Sequence, residues 1–183
     1  AGTGNSCMYT TDGGVNWTLS AMNYGAYPYT RRDIEAIRAV SATTFIATGW
    51  GSTVGGQPTI ILISTNGGVS FSAPDPAYSW ATYSYGYNIG VFDGGDALIV
   101  GGGSQMAGFT IRGTVASGFT SWARQPAFYG EAINDVCTLP GTTNKIVAVG
   151  DAGLIAHSEN GAVSWAFVVD GGMPFQGMQA FID

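Results

Sequence analysis

Thr10-Thr11-Asp12-Gly13-Gly14-Val15-Asn16-Trp17 returns as Ser64-Thr65-Asn66-Gly67-Gly68-Val69-Ser70-Phe71, and again as Ser158-Glu159-Asn160-Gly161-Ala162-Val163-Ser164-Trp165. Each copy sets a hydroxyl residue, a spacer, Asp or Asn, Gly, a small residue, two further positions and an aromatic. A short carboxylate or amide accepts hydrogen bonds from backbone N–H groups a few residues on, and Gly supplies the positive φ of a tight hairpin. The phrase therefore predicts a turn between two strands, followed by a ring that stacks on a neighbouring sheet. On this reading Asp12, Trp17, Asn66, Phe71, Asn160 and Trp165 are structural residues.

Alternating apolar and polar positions around each copy predict strands at 34–40, 44–49, 59–64 and 69–73, a four-stranded antiparallel unit with the octapeptide at its last hairpin. The same order recurs at 133–139, 145–150, 154–158 and 164–169. A degenerate copy lies between them, at 87–92, 97–101, 109–113 and 121–125, where the phrase loosens into a turn ending at Trp122. Four-stranded units at this period, each closed by an aromatic, predict an all-β chain built as a β-propeller.

The expected organisation is one propeller domain or segment over 1–183, with blades at about 31–75, 84–127 and 131–170 and partial blades at 1–30 and 174–183. Residues 2–17 align without a gap on 150–165, so the chain enters at the third strand of a blade. Residues 176–183 resemble the innermost strand that begins at Ile133. The expectation is a segment of a larger propeller; a permuted four-bladed ring sealed by a three-stranded blade is the alternative. An open fragment would leave unpaired strand edges.

The octapeptide resembles the Asp-box, or BNR repeat, of sialidases, some other glycosidases and the photosystem II assembly factor family. The assembly-factor type is the closer resemblance: Ile146-Val147-Ala148-Val149-Gly150, then Asp151-Ala152-Gly153-Leu154-Ile155, then the phrase at Ser158. Asn66 and Asn160 stand where the family has Asp, and Ala162 replaces a Gly, so the boxes read as degraded. The resemblance to sialidases implies an arginine trio, a Tyr nucleophile paired with Glu and an Asp acid/base. Their Phe/Tyr-Arg-Ile-Pro segment is absent, with only Tyr29-Thr30-Arg31-Arg32 and Thr110-Ile111-Arg112-Gly113 as faint echoes. Asp33, Glu35, Asp93, Asp96, Glu131, Asp135 and Asp151 are carboxylate candidates, but no spacing singles out a pair. No catalytic residue is assigned.

Of 183 residues, 29 are Gly, 13% are aromatic and 10% are charged, a composition of turns and rings rather than helices. A net charge of −6 opposes binding to nucleic acid, whose phosphates need a basic surface. No apolar run is long enough to span a bilayer, so direct membrane insertion is not expected. Low charge with abundant Ser, Thr, Asn and Gly points to a secreted, periplasmic, cell-surface or virion setting. Cys7 and Cys137 belong to no metal-ligand spacing and read as two buried thiols, a disulfide being the alternative. His157 reads as packed or solvated. No cofactor or metal is expected.

Function must come from the loops. In propellers the box turns sit opposite the face that usually binds ligands, which is built by the connections between blades and by the loops joining second to third strands. Those segments carry Tyr27, Tyr29, Arg31, Arg32, Trp50, Trp80, Tyr83 and Tyr129, the expected ligand-binding residues. Tyr24, Tyr78, Tyr85, Tyr87, Phe128 and Glu131 lie in the same connections, and Asp151 in a shorter loop. Flat rings with planar Arg donors suit a glycan or protein partner. The expected function is a non-enzymatic binding or structural module; the alternative is part of a sialidase-like glycoside hydrolase propeller. Further blades of the same protein, or a homo-oligomer, are the other expected partners.

Overall fold

The computed structural model describes residues 6–25, 31–52, 56, 58–74, 84–103, 108–125 and 131–169. These are all-β. Strands β4 (Arg31–Ala39), β5 (Phe45–Ser52), β6 (Thr59–Ser64) and β7 (Ser70–Ser72) form one antiparallel meander. A second is β8 (Ser84–Val91), β9 (Ala97–Gly103), β10 (Gly108–Gly113) and β11 (Trp122–Gln125). The third is β12 (Ile133–Thr138), β13 (Ile146–Gly150), β14 (Ile155–Ser158) and β15 (Ala166–Val169). Ahead of them, β1 (Met8–Tyr9) and β2 (Thr18–Leu19) make a two-stranded hairpin around the first octapeptide.

The first full blade differs from the four-stranded expectation. Strand β3 (Ala21–Asn23) leaves the hairpin and pairs in parallel with β7, giving the sheet order β3-β7-β6-β5-β4. Its seating is fixed by the Ser20 hydroxyl, which donates to the Gly68 carbonyl at 2.6 Å, and by the Ala21 amide, which donates to Val69 O at 3.0 Å.

The middle strands of the first two full blades read as continuous apolar runs because both of their faces are covered. Successive side chains point to opposite sides. On β6, Ile61 enters the core shared with β8–β11, whereas Ile60 and Leu62 enter the core that holds Cys7, Tyr24 and Phe71. On β9, Ala97 and Ile99 face the first blade, whereas Leu98 and Val100 pack with Ile133, Val136 and Ile146 of the third. Arg112 adds a polar link between blades: it pairs with Asp96 at 2.9 Å, donates to Gly161 O at 3.2 Å and lies 4.9 Å over the Phe92 ring.

All three octapeptides build one hydrogen-bond network. The first-position hydroxyl accepts from the fifth-position amide: Gly14 N to Thr10 at 3.0 Å, Gly68 N to Ser64 at 2.9 Å, Ala162 N to Ser158 at 3.0 Å. It also donates to the third residue's side-chain oxygen, at 2.7, 2.9 and 2.9 Å respectively. That oxygen accepts from the seventh-position amide of Asn16, Ser70 or Ser164. The Asn copies are therefore not weakened. Where the third residue is Asp12, its second oxygen accepts from the Asn16 side-chain amide at 2.7 Å. Where it is Asn66 or Asn160, its NH2 donates to the Ser70 or Ser164 hydroxyl at 2.8 Å. The partner changes polarity with the residue it meets.

Fourth and fifth positions are left-handed in every copy, Ala162 included at φ 72. Gly118 and Phe119, both at φ 59, repeat this in the degenerate turn, and the Trp122 indole N–H donates to Phe119 O at 2.9 Å as Trp17 does to Gly14 O at 3.0 Å. The closing rings diverge. Phe71 and Trp122 are buried and Trp165 packs on the third-blade core, but Trp17 is 56% exposed, against the expected stacking on a neighbouring sheet. Both cysteines are free thiols; Cys7 is buried and Cys137 only half-buried. His157 is half-exposed, 4.0 Å from Glu159, which pairs with Lys145 at 2.7 Å.

Candidate functional site

The octapeptides mark one end of the blades. The Gly67 amide donates to Thr43 O at 2.9 Å and Gly161 N to Asn144 O at 2.7 Å, so the turns joining first to second strands lie at that same end. The starts of β4, β8 and β12 and the ends of β5, β9 and β13 consequently form the opposite end.

There, each innermost strand carries a β-bulge at one register. Ile34 pairs with Gly49 and Ala36 with Thr48, leaving Glu35 over; Gly86 pairs with Gly101 and Asn88 with Val100, leaving Tyr87; Ile133 pairs with Gly150 and Asp135 with Val149, leaving Asn134. The glycine opposite each bulge is required by close approach. A Cβ on Gly49, Gly101 or Gly150 would run into the carbonyl oxygen of Asp33, Tyr85 or Ala132. A bulge re-aims the extra side chain, and three in register aim three of them at one end of the inner strands.

These positions gather a cluster across the blades. The half-buried Trp50 ring meets Tyr85 edge-on, with centroids 5.5 Å apart and planes at 80°, and donates its indole N–H to Glu35 Oε1 at 3.2 Å. Tyr85 stacks on Tyr87 at 6.2 Å with planes 2° apart. Asn134 donates to Asp151 Oδ1 at 2.8 Å. Burial pushes the Tyr87 phenol up from its ordinary pKa, and the carboxylates of Asp151 and Glu35 add to the shift. One residue past the second and third bulges, Asn88 accepts from Arg38 at 2.8 Å through Oδ1 and donates to Asp135, a polar belt over three inner strands.

Of the residues expected to bind ligand, Trp50 lies in this cluster. Arg32 sits on the other face of the same blade, its guanidinium 4.2 Å over the Tyr24 ring, in the core of Tyr24 and Cys7. Burial pushes the Tyr24 phenol up, an effect the Arg32 cation partly offsets. Arg31 opens β4 opposite Ser52. Tyr27, Tyr29, Trp80, Tyr83 and Tyr129 lie outside the described residues, as do Tyr78 and Phe128. Tyr85, Tyr87 and Asp151 come from the connections and loop that the sequence reading put on this face, whereas Glu35 was read only as a carboxylate candidate and Asn134 as a strand residue. The signal that could have found the last two is the glycine ending each second strand expected from the sequence, Gly49, Gly101 or Gly150.

A cleft of about 450 Å³ opens instead at the octapeptide end, between the first two full blades, lined by Val40, Ser41, Thr44, Thr65, Gly94, Gly95, Val115, Gly118 and Phe119. Its lining holds no ionisable side chain, so it offers shape and hydroxyls but no charge. Between the two ends, the bulge cluster is the one that brings aromatic rings, carboxylates and amides together.

No protein-family model matches the chain, and no curated protein matches it. Solved structures do. YCF48 from Cyanidioschyzon merolae superposes with a TM-score of 0.61 at 15% identity, over 96% of this chain and 57% of that one. YCF48 bound to D1 peptide gives 0.58 at 15% identity, over 85% and 47%. The GH74 xyloglucanase from Xanthomonas campestris gives 0.51 at 15% identity, over 74% and 21%. The chain thus spans about half the length of the YCF48 structures. At this identity the likeness concerns the fold, and with the successive antiparallel meanders described above it makes this chain a β-propeller.

Proposed function

We propose that this propeller is a binding module that takes a protein segment at the end opposite the octapeptide turns, over Trp50, Tyr85 and Tyr87. The observation that carries the reading is the set of three bulges in register, which keep one backbone while presenting Glu35, Tyr87 and Asn134. Half-buried Trp and Tyr rings give large contact area at small entropic cost and dominate binding energy in protein interfaces. A similar fold is seen in YCF48 bound to D1 peptide, which supports a peptide over a glycan. Arg31, Tyr27, Tyr29, Trp80, Tyr83 and Tyr129 extend the surface in this reading. The octapeptides are Asp-boxes with a structural task, and a secreted, periplasmic, cell-surface or virion setting suits the low charge.

The test is to pan a random linear-peptide library and, in parallel, a glycan array against the full chain. Selected peptides should lose about 2–4 kcal/mol of binding in Trp50→Ala and Tyr85→Ala at little-changed melting temperature. Peptides that bind both variants as well as the parent, or a chain that selects glycans and no peptide, would overturn it.

A further inference from the structure

We infer that the segment bound at this end presents a cation, an ammonium or guanidinium group, to the cluster of Trp50, Tyr85 and Tyr87 with Glu35 and Asp151. The inference rests on the reading of that end as the binding surface and specifies its chemistry. Aromatic rings attract cations through their negative faces, and the attraction grows as the site is desolvated. Here Trp50 of one blade meets Tyr85 of the next, which stacks on Tyr87; Glu35 of the first blade is bonded to the Trp50 indole, and Asp151 of the third, held by Asn134, is near enough for its charge to act on Tyr87. Both carboxylates accept from neutral donors, Glu35 from the Trp50 indole and Asp151 from the Asn134 amide, and neither is ion-paired among the described residues. Of the first blade's basic side chains, Arg32 lies over the Tyr24 ring and Arg38 donates to Asn88. An anionic ligand would meet two like charges. A neutral one would cover both carboxylates without compensating them, which is costly as water is removed.

The experiment follows the Trp50 indole resonance by NMR while the full chain is titrated with acetyl-Gly-Lys-Gly-amide, its arginine counterpart, the same peptide with acetylated lysine, and cellotetraose. The lysine and arginine peptides should shift the Trp50 signal. Acetylating the lysine should weaken the response about tenfold, and added salt should weaken it too. In the parent protein the acetylated probe tests the idea without any substitution; Glu35→Gln with Asp151→Asn should reproduce its effect. If the acetylated peptide or cellotetraose shifts Trp50 as strongly as the lysine peptide, the cation is wrong and the surface stands. If panned peptides bind through Trp50 but no basic probe does, the inference likewise falls alone. If neither panned nor basic peptides reach Trp50, both readings fall together.

Discussion

The two ends of the blades repeat in opposite ways. At the turn end the residues change and the hydrogen bonds do not: Asp12 with Asn16, Asn66 with Ser70 and Asn160 with Ser164 close the same ring of contacts by exchanging donor for acceptor. At the bulge end the backbone stays fixed, each time with a glycine against a carbonyl, while the extra residue becomes Glu35, Tyr87 or Asn134. A scaffold tolerates any residue pair that satisfies its polar groups. On the reading proposed above, the bulge end is a fixed platform on which the chemistry is free to differ.

The comparison breaks most visibly at the glycines. Gly49→Ala, Gly101→Ala and Gly150→Ala should each lower unfolding free energy by about 3 kcal/mol, or prevent folding, because the new methyl meets backbone and not a movable side chain. Urea midpoints check this, and three tolerated alanines would mean that the bulges are not a built feature. Next in size come the turn hydroxyls. Ser64 and Ser158 are buried, so Ser64→Ala and Ser158→Ala leave an inner N–H without its acceptor and should cost about 1–2 kcal/mol. Thr10→Ala, in the more open copy, should cost about 0.5 kcal/mol or less.

A smaller effect distinguishes the first turn by pH. The Asn16 backbone amide, then the Thr10 hydroxyl and the Asn16 side chain, hold the Asp12 carboxyl at about 2, below its ordinary 3.8. A pKa lower in the folded chain means that the contribution is whole above the ordinary value and is lost as pH falls from there toward 2. Asp12→Asn should remove that acid slope, while Asn66 and Asn160 contribute none; an unchanged slope in Asp12→Asn would refute the assignment. The smallest effect belongs to Ala162→Gly. Relief of a left-handed alanine is set against loss of a fully buried methyl, so stability should move by no more than about 0.5 kcal/mol.

Legibility in the sequence followed burial. The run Thr59–Ser64 was bounded correctly because Ile60, Ile61, Leu62 and Ile63 are covered on both faces of the sheet. The inner strands start earlier than the alternation suggests, at Arg31 and Ser84, because the extra residues Glu35 and Tyr87 shift the period of two and make what precedes them read as loop. Strand β3 left no sequence signal: Ala21, Met22 and Asn23 are too few to show a period, and their partner lies far along the chain. Trp50 was legible as a ring in a short loop. Its union with Tyr85, Tyr87 and Glu35 was not, since contacts between blades depend on how neighbouring sheets are set, which no local pattern records.

The parallel seating of β3 also sets a timetable. Every other strand pair described above joins segments adjacent in the chain, so each hairpin can close soon after it is synthesised. The Ser20 hydroxyl, by contrast, must find a carbonyl 48 residues downstream. At translation rates of about 5–20 residues per second, that partner emerges roughly 2–10 s later. Through that interval the nascent chain carries an unsatisfied strand, and the outer edge of the first full blade is sealed only when β7 arrives to meet it.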